Sequence, residues 1–266
     1  MQHPSDTWTT GDSYEAYAGR WSRLVACEFL AWLATGPSLR WLDVGCGTGA
    51  LSQTILAVAD PSEVVGIDPS EGFIAHARQH TQDPQATFRT GNAQHLPVED
   101  SGFDVAVAGL VLNFVPDPAR TVAEMRRSVR SEGTVAAYVW DYASGMQLMR
   151  HFWDAAVALD PASRELDEGL RFPLCQPEPL RALFDHAGLG GTAVGTIDVP
   201  TVFKNFDDFW SPFLGGQGPA PTYCMALPDD RRVKLKDRLK ATLPVDADGV
   251  IRLTARAFAV RGVKPA

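Results

Sequence analysis

Apolar positions in the first half of the chain switch repeatedly between a helical and a strand-like spacing. Over 12–35 they recur at Tyr14, Tyr17, Trp21, Leu24, Val25, Phe29 and Trp32, which predicts a helix that Gly36-Pro37 ends. A short apolar run over 39–44 predicts a strand. A helix over 48–59, a strand over 63–68 and a helix over 70–81 follow, the last with Ser70 as N-cap. Strands at 87–90 and 104–110, an amphipathic helix over 118–130 and a strand over 133–140 continue the alternation. This repeated strand–helix rhythm predicts an α/β fold with a mostly parallel sheet and helices on both faces. The continuous apolar runs suit strands buried on both sides. Right-handed crossovers then bring the C-terminal ends of the strands to one edge, where ligands bind.

After Trp140 the rhythm changes. Residues 144–168 read as helical, and 179–187 as a helix closed by Gly188. Residues 192–204 and 250–263 alternate like strands, the second clearly. Between them, 206–243 is interrupted by Pro and Gly but holds Phe206, Phe209, Trp210, Phe213 and Tyr223. The stretch reads either as a packed lid or as a poorly ordered surface excursion; disordered segments are poor in aromatics, which favours the lid. The expected organisation is an N-terminal helical cap over 1–38, a Rossmann-like core over 39–205 and 244–266, and a helical lid over 206–243.

Candidate chemistry gathers around WLDVGCGTGALS, residues 41–52. A strand that runs through a glycine-rich turn into a helix aims backbone N–H groups at a ligand, and the glycines allow its close approach. Gly45, Gly47 and Ala50 have the spacing of a dinucleotide loop, and Asp68 ends the next strand, where an acid grips ribose hydroxyls. A nicotinamide dinucleotide therefore fits this pattern. Asp43 favours a different ligand, because a carboxylate repels a pyrophosphate. It attracts an ammonium group, while loop N–H groups hold a ligand carboxylate. S-adenosylmethionine has that zwitterion joined to an adenosine. The competing role of Asp43 is only to accept hydrogen bonds from the loop N–H groups.

The segments WLDVGCGTG, VVGIDPS and GNAQHLPVEDSGFDVAV, in that order, resemble the class I S-adenosylmethionine-dependent methyltransferases. The similarity is greatest to the small-molecule branch that includes the ubiquinone/menaquinone methyltransferases, and its motifs cover 39–140. The resemblance implies a seven-stranded Rossmann-like sheet with the last strand antiparallel, and S-adenosylmethionine as cofactor. It implies that Gly45, Cys46 and Gly47 line the methionine portion and that Asp43 lies near the amino group. Asp68 would accept the ribose hydroxyls, and Pro69 and Ser70 would flank the adenine. Asn92 and Ala93 occupy the place where the family usually has Asp-Ala against the adenine edge. The neutral amide turns a charge-assisted bond into an ordinary one, so cofactor binding is expected to be somewhat weaker. Leu110 and Val111 would pass beside the sulfonium. The opening YEAYAGRWSRLVACEFLAWL resembles the N-terminal helix of a bacterial subgroup of the same family.

Methyl transfer from a sulfonium is an in-line displacement, in which the protein chiefly positions the nucleophile and excludes water. A base is needed only where the acceptor must lose a proton. Asp141, after the strand over 133–140, is the best-placed titratable group; its competing role is a turn cap. Asn113 follows the strand over 104–110, where some relatives carry His, and an amide is no base. Tyr17 and Trp21, with Arg20 beside them, either belong to a packed helix face or lie over the cofactor. Phe114, Trp140, Phe209 and Trp210 are candidate walls for a planar acceptor. Aromatic walls also attract a sulfonium, by about 0.5–2 kcal/mol. No metal-ligand spacing is visible.

Composition narrows the partners. Net charge is −8, and the densest basic run, 231–240, reads as the solvated face of a surface helix. No nucleic-acid partner is expected, since such proteins carry a basic stripe. The beginning of the sequence, MQHPSDTWTTGDSYEAY, lacks the apolar centre of a signal peptide, and no apolar run is long enough to span a bilayer. Four cysteines without metal or redox spacing read as free thiols in a reducing compartment. The expectation is a cytoplasmic monomer or homodimer acting on a small molecule. The alternatives are a nicotinamide-dependent oxidoreductase and a non-catalytic S-adenosylmethionine-binding module.

Overall fold

The structure is a computed structural model and describes residues 20–215 and 218–266. Seven strands form one sheet in the order β3-β2-β1-β4-β5-β7-β6. The strands are β1 (Arg40–Val44), β2 (Glu63–Asp68), β3 (Ala86–Thr90), β4 (Phe103–Gly109), β5 (Val129–Trp140), β6 (Gly190–Phe203) and β7 (Ile251–Val263). The first five pair in parallel, and β7 joins β5 antiparallel, from Thr134 opposite Val263 to Trp140 opposite Ala257. This is the expected Rossmann-like sheet, mostly parallel with its last strand antiparallel. Strand order reverses between β1 and β4, and such a switch point opens a ligand crevice at the C-terminal ends of the strands.

The chain divides into two compact units. The sheet unit holds 22–140, 174–197 and 257–266. Its helices are α1 (Arg20–Leu33, whose first two residues count with the other unit), α2 (Ala50–Val58), α3 (Glu71–His80), α4 (Pro118–Ser128) and α7 (Pro177–His186). The expected helix over 12–35 is present from Arg20, and its earlier part lies outside the described residues. α1 buries Val25, Ala26, Phe29 and Leu33, and Phe29 packs on Tyr138 of β5 at a ring separation of 4.7 Å. No basic residue stands in its last turn; Arg261 of β7 instead donates to the Leu33 carbonyl at 2.9 Å and lies over the Trp32 ring. α3 has the expected cap, with the Phe73 N–H donating to Ser70 Oγ. α4 starts on Asp117, whose carboxylate accepts the Arg120 N–H, with Pro118 in the first turn.

Two expectations are corrected here. β5 starts at Val129 rather than at residue 133, because Val129 pairs with Phe103 ahead of a register shift, a pairing the polar run Arg130–Glu132 conceals. The helix expected over 144–168 is broken. α5 (Gln147–Leu159) stops before Pro161, a 3-10 turn covers Pro161–Leu166 and α6 (Glu168–Arg171) follows. The ring of Pro161 has no N–H to continue the helix, and the Asp160 carboxylate caps the new turn through the Ala162 N–H.

The second unit holds 20–21, 141–173 and 198–256 of the described chain. Besides α5 and α6 it contains α8 (Phe206–Trp210), a 3-10 turn Ser211–Leu214, α9 (Pro219–Ala226) and α10 (Asp229–Thr242). Its centre is aromatic: Phe213 stacks on Phe152 at 4.4 Å, and Phe209 meets Phe203 and Phe213 at 5.2 and 5.7 Å. Among the described residues, no helix is long and apolar enough to cross a membrane.

Candidate active site

The loop between β1 and α2 carries three left-handed glycines, Gly45, Gly47 and Gly49, at φ of 72°, 54° and 94°. The turn requires this conformation, which L residues with a Cβ rarely adopt. Gly45 also lacks room, since an added Cβ would meet Val111 Cγ2 at 2.5 Å, whereas at Gly47 no atom lies within 4 Å. The loop thus turns bare backbone toward open space at Gly47 and packs against the segment after β4 at Gly45. Cys46 points the other way, into an apolar cluster with Ile74, Ala77 and Phe88. Burial pushes its thiol well above the usual range.

The loop N–H groups are engaged within the fold. Those of Gly45 and Cys46 both donate to the Ile67 carbonyl, at 2.7 and 3.1 Å. That of Gly47 donates to Asp68 Oδ2 at 3.0 Å. The expected grip of these groups on a ligand carboxylate is therefore not what they provide here. Asp68, at the end of β2, is oriented from two sides, because its Oδ1 accepts the Ser70 N–H at 2.8 Å. Burial raises its pKa, and the two N–H donors oppose that shift.

Asp43 is 1% exposed. Its Oδ2 accepts the Ser52 hydroxyl at 2.6 Å, while its Oδ1 is buried without a hydrogen-bond partner among the described residues. Burial raises its carboxyl to about 7; the Ser52 hydroxyl opposes this, and the charge of Asp68 adds to it. Ser52 was not anticipated from sequence. The only signal was its place two residues into α2, nine residues after the acid.

Beyond β2 the chain passes through Pro69, which is exposed, and the cap Ser70. At the end of β3, Asn92 is exposed and its Oδ1 accepts the Gln94 N–H at 2.8 Å, closing a turn over buried Ala93. The loop that follows is anchored by α4. Glu124 accepts the Leu96 N–H, and Arg127 donates to the carbonyls of Leu96 and Val98 and pairs with Glu124 and Asp100. After β4, Leu110 takes a left-handed φ of 61°, an uncommon state for a residue with a side chain, held by its N–H on the Tyr138 carbonyl. Three residues on, both amide atoms of half-buried Asn113 are buried without partners among the described residues. Phe114 is half-buried and Trp140 is 3% exposed. The sheet unit thus brings Asp43, Gly45, Gly47, Asp68, Ser70, Leu110 and Val111 to the ends of β1, β2 and β4.

The remaining candidates fall in the other unit or outside the description. Asp141 is 1% exposed and caps a turn: its oxygens accept the Ser144 N–H at 3.0 Å and the Ser144 hydroxyl at 2.7 Å. Trp21 packs edge-on to Phe203 at 5.2 Å, and Phe209 and Trp210 lie in the aromatic centre at 0% and 5% exposure. Tyr17 lies outside the described residues, and Arg20 is described only as the first residue of α1. Among the described residues, no three His, Cys, Asp or Glu side chains gather in a way that could hold a metal ion.

Part of the chain is similar in sequence to known proteins, and its fold is similar to solved structures. Residues 42–137 match the family described as methyltransferase domain. A demethylmenaquinone methyltransferase of Oceanobacillus iheyensis is 39% identical over 98 residues, 35% of this chain and 41% of that protein. Matches to the first curated relatives span 27% to 56% of those proteins' own lengths. Among solved structures, the YcgJ protein of Bacillus subtilis aligns with a TM-score of 0.61 at 17% identity, covering 91% of this chain and 99% of that one. A Haemonchus contortus phosphoethanolamine N-methyltransferase 2, solved with phosphomonomethylethanolamine and S-adenosylhomocysteine, aligns with a TM-score of 0.60 at 16% identity, covering 96% and 57%. At these identities the structural likeness concerns the fold.

Proposed function

We propose that this chain is a class I S-adenosylmethionine-dependent methyltransferase that binds S-adenosylmethionine at the C-terminal edge of the sheet and methylates a small organic acceptor, a reading supported by its strand order and by the match over residues 42–137. The observation that carries the reading is the setting of Asp68. Backbone N–H groups from Gly47 and Ser70 fix one carboxylate oxygen each, and each oxygen keeps a second lone pair for a ribose hydroxyl.

The residues present fit the ligand. An amino group beside the loop would favour the ionised form of Asp43, whose buried Oδ1 has no partner among the described residues. The open space at Gly47 suits a ligand lying along the backbone. A dinucleotide is disfavoured, because the N–H groups of Gly45 and Cys46 that would hold its pyrophosphate already serve the Ile67 carbonyl.

When bound, S-adenosylmethionine supplies an electrophilic methyl group on a sulfonium that departs as a neutral thioether. The chain's own part is to bind, orient and keep water out. Asp68 would fix the ribose, with Pro69 and Ser70 along the adenine. Asn92 would accept from the adenine amino group through the oxygen that also takes the Gln94 N–H, and Ala93 would pack beneath it. The backbone of Gly45, Cys46 and Gly47 would follow the methionine portion, and Leu110 and Val111 would shield the sulfonium. Asn113, with a free donor and a free acceptor, would hold the methyl acceptor, with Phe114 and Trp140 as apolar wall. We assign Asp141 to its turn, since both its oxygens are engaged by Ser144, and the rate to positioning and exclusion of water. We place the protein in the cytoplasm, as a monomer or homodimer, with a planar small-molecule acceptor and no nucleic-acid partner.

Thermal denaturation tests the first half of this reading. S-adenosylmethionine and S-adenosylhomocysteine should raise the melting temperature and NADH should not. Asp68→Ala should abolish the rise. Stabilisation by NADH alone would reverse the assignment. Transfer of a labelled methyl group to a panel of phenols, quinols and amines then separates an enzyme from a binding module.

A further inference from the structure

Within the second unit, α5 and the turn after it border an open recess of about 410 Å³. Arg150, Asp154, Val157 and Ala158 line it from one face of α5, and Arg164, Asp167 and Leu170 from the following segment. Neither the domain match over 42–137 nor the nucleotide edge accounts for it.

Arg150 has an unusual setting. Its side chain is only 19% exposed, and it donates to Asp167 through Nη2, while its Nε is buried without a partner among the described residues. Asp167 is itself held, because the same carboxylate accepts the Gly169 N–H and starts α6. Asp167 thus orients the guanidinium, and the Nε–H is left unpaired among the described residues. Glu168, the next residue, is buried and bonded to the Trp153 indole N–H. Burial pushes its carboxyl up to about 7, so at neutrality it is only partly ionised beside Arg150. A half-buried guanidinium with an unpaired N–H favours an oxyanion as a charge-assisted partner. Asp154 and Asp167 on the same walls disfavour a dianion, and Val157, Ala158 and Leu170 offer an apolar surface.

We propose that this recess is a binding site for a small organic monocarboxylate with an apolar body, held by Arg150 with Arg164 at the entrance. The proposal does not depend on methyl transfer, and its test contains no S-adenosylmethionine. The probes are hexanoate, followed by calorimetry, and 4-fluorobenzoate, followed by fluorine NMR line broadening, each against its amide and against inorganic phosphate. Both carboxylates should bind, their amides should not, and phosphate should bind more weakly. Leu170 is 56% exposed, so Leu170→Glu should leave the melting temperature unchanged. Its charge at the rim should weaken carboxylate binding by about tenfold. Arg150→Gln should abolish it. The proposal is overturned if neither carboxylate binds at millimolar concentration, if the amides bind as well as the acids, or if Leu170→Glu leaves the affinity intact.

Discussion

Gly45 and Val111 lie so close that a Cβ on residue 45 would stand 2.5 Å from Val111 Cγ2. The two residues pack the turn after β1 against the chain leaving β4, at the edge where we place the cofactor.

A pair of substitutions separates crowding from occupancy. Gly45→Ala adds a clash to a left-handed φ and should destabilise strongly, by about 2–4 kcal/mol. Gly47→Ala meets only the φ penalty, about 1–2 kcal/mol. Its methyl group would, however, project into the space proposed for the ligand. Denaturant melts should rank Gly45→Ala as the worse folder, and calorimetry should show that Gly47→Ala loses S-adenosylmethionine affinity beyond its loss of stability. Equal stability losses would contradict the geometry of the loop.

Asp43 gives a pH signature. Burial holds its carboxyl at about 7 in the folded chain, against an ordinary value of 3.8. Between these values the folded state keeps a proton that the unfolded chain has released. Its contribution to stability is therefore fully present below about 4, declines as pH rises through 7, and is level above. Asp43→Asn should remove this slope. The stability difference between variant and wild type, measured in urea at pH 5 and pH 8, should move in favour of the variant at the higher pH. A difference independent of pH would show that Asp43 titrates normally.

Asp141 is expected to behave as a cap. Asp141→Asn and Ser144→Ala should each cost about 1 kcal/mol of stability. Neither should alter the pH profile of methyl transfer. A limb of that profile lost in Asp141→Asn alone would restore it as a base.

Asn113 sets stability against activity. Its amide atoms are buried without partners among the described residues, a cost of about 1–3 kcal/mol. Asn113→Leu should therefore raise the melting temperature while raising KM for the methyl acceptor and leaving S-adenosylmethionine affinity alone. A stabilised variant with unchanged acceptor kinetics would remove Asn113 from the site.

Much of the sheet unit is legible in the order of residues. β2 was expected over 63–68 and is found there, because an apolar run ends at Asp68-Pro69-Ser70, which is both a strand stop and a helix start. Asp68 and the glycine turn announce themselves through short-range chemistry. What escaped depends on partners far along the chain. Arg261 caps α1 across 228 residues, and no local feature of either segment signals it. Asp43 is visible as an acid beside glycines, but the direction of the loop N–H groups, toward Ile67 rather than a ligand, is set by how β1 and β2 pair. Arg150 and Asp167 look like solvated helix charges in sequence; only the break at Pro161 folds one back onto the other.

The inward turn of Cys46 also has a practical use. Cys46, Cys175 and Cys224 are buried and Cys27 is exposed on α1, so a maleimide should tag the native protein at Cys27 alone. A second label arriving slowly at Cys46 would time the breathing of the glycine turn away from Phe88, and a ligand seated on that turn should slow its arrival.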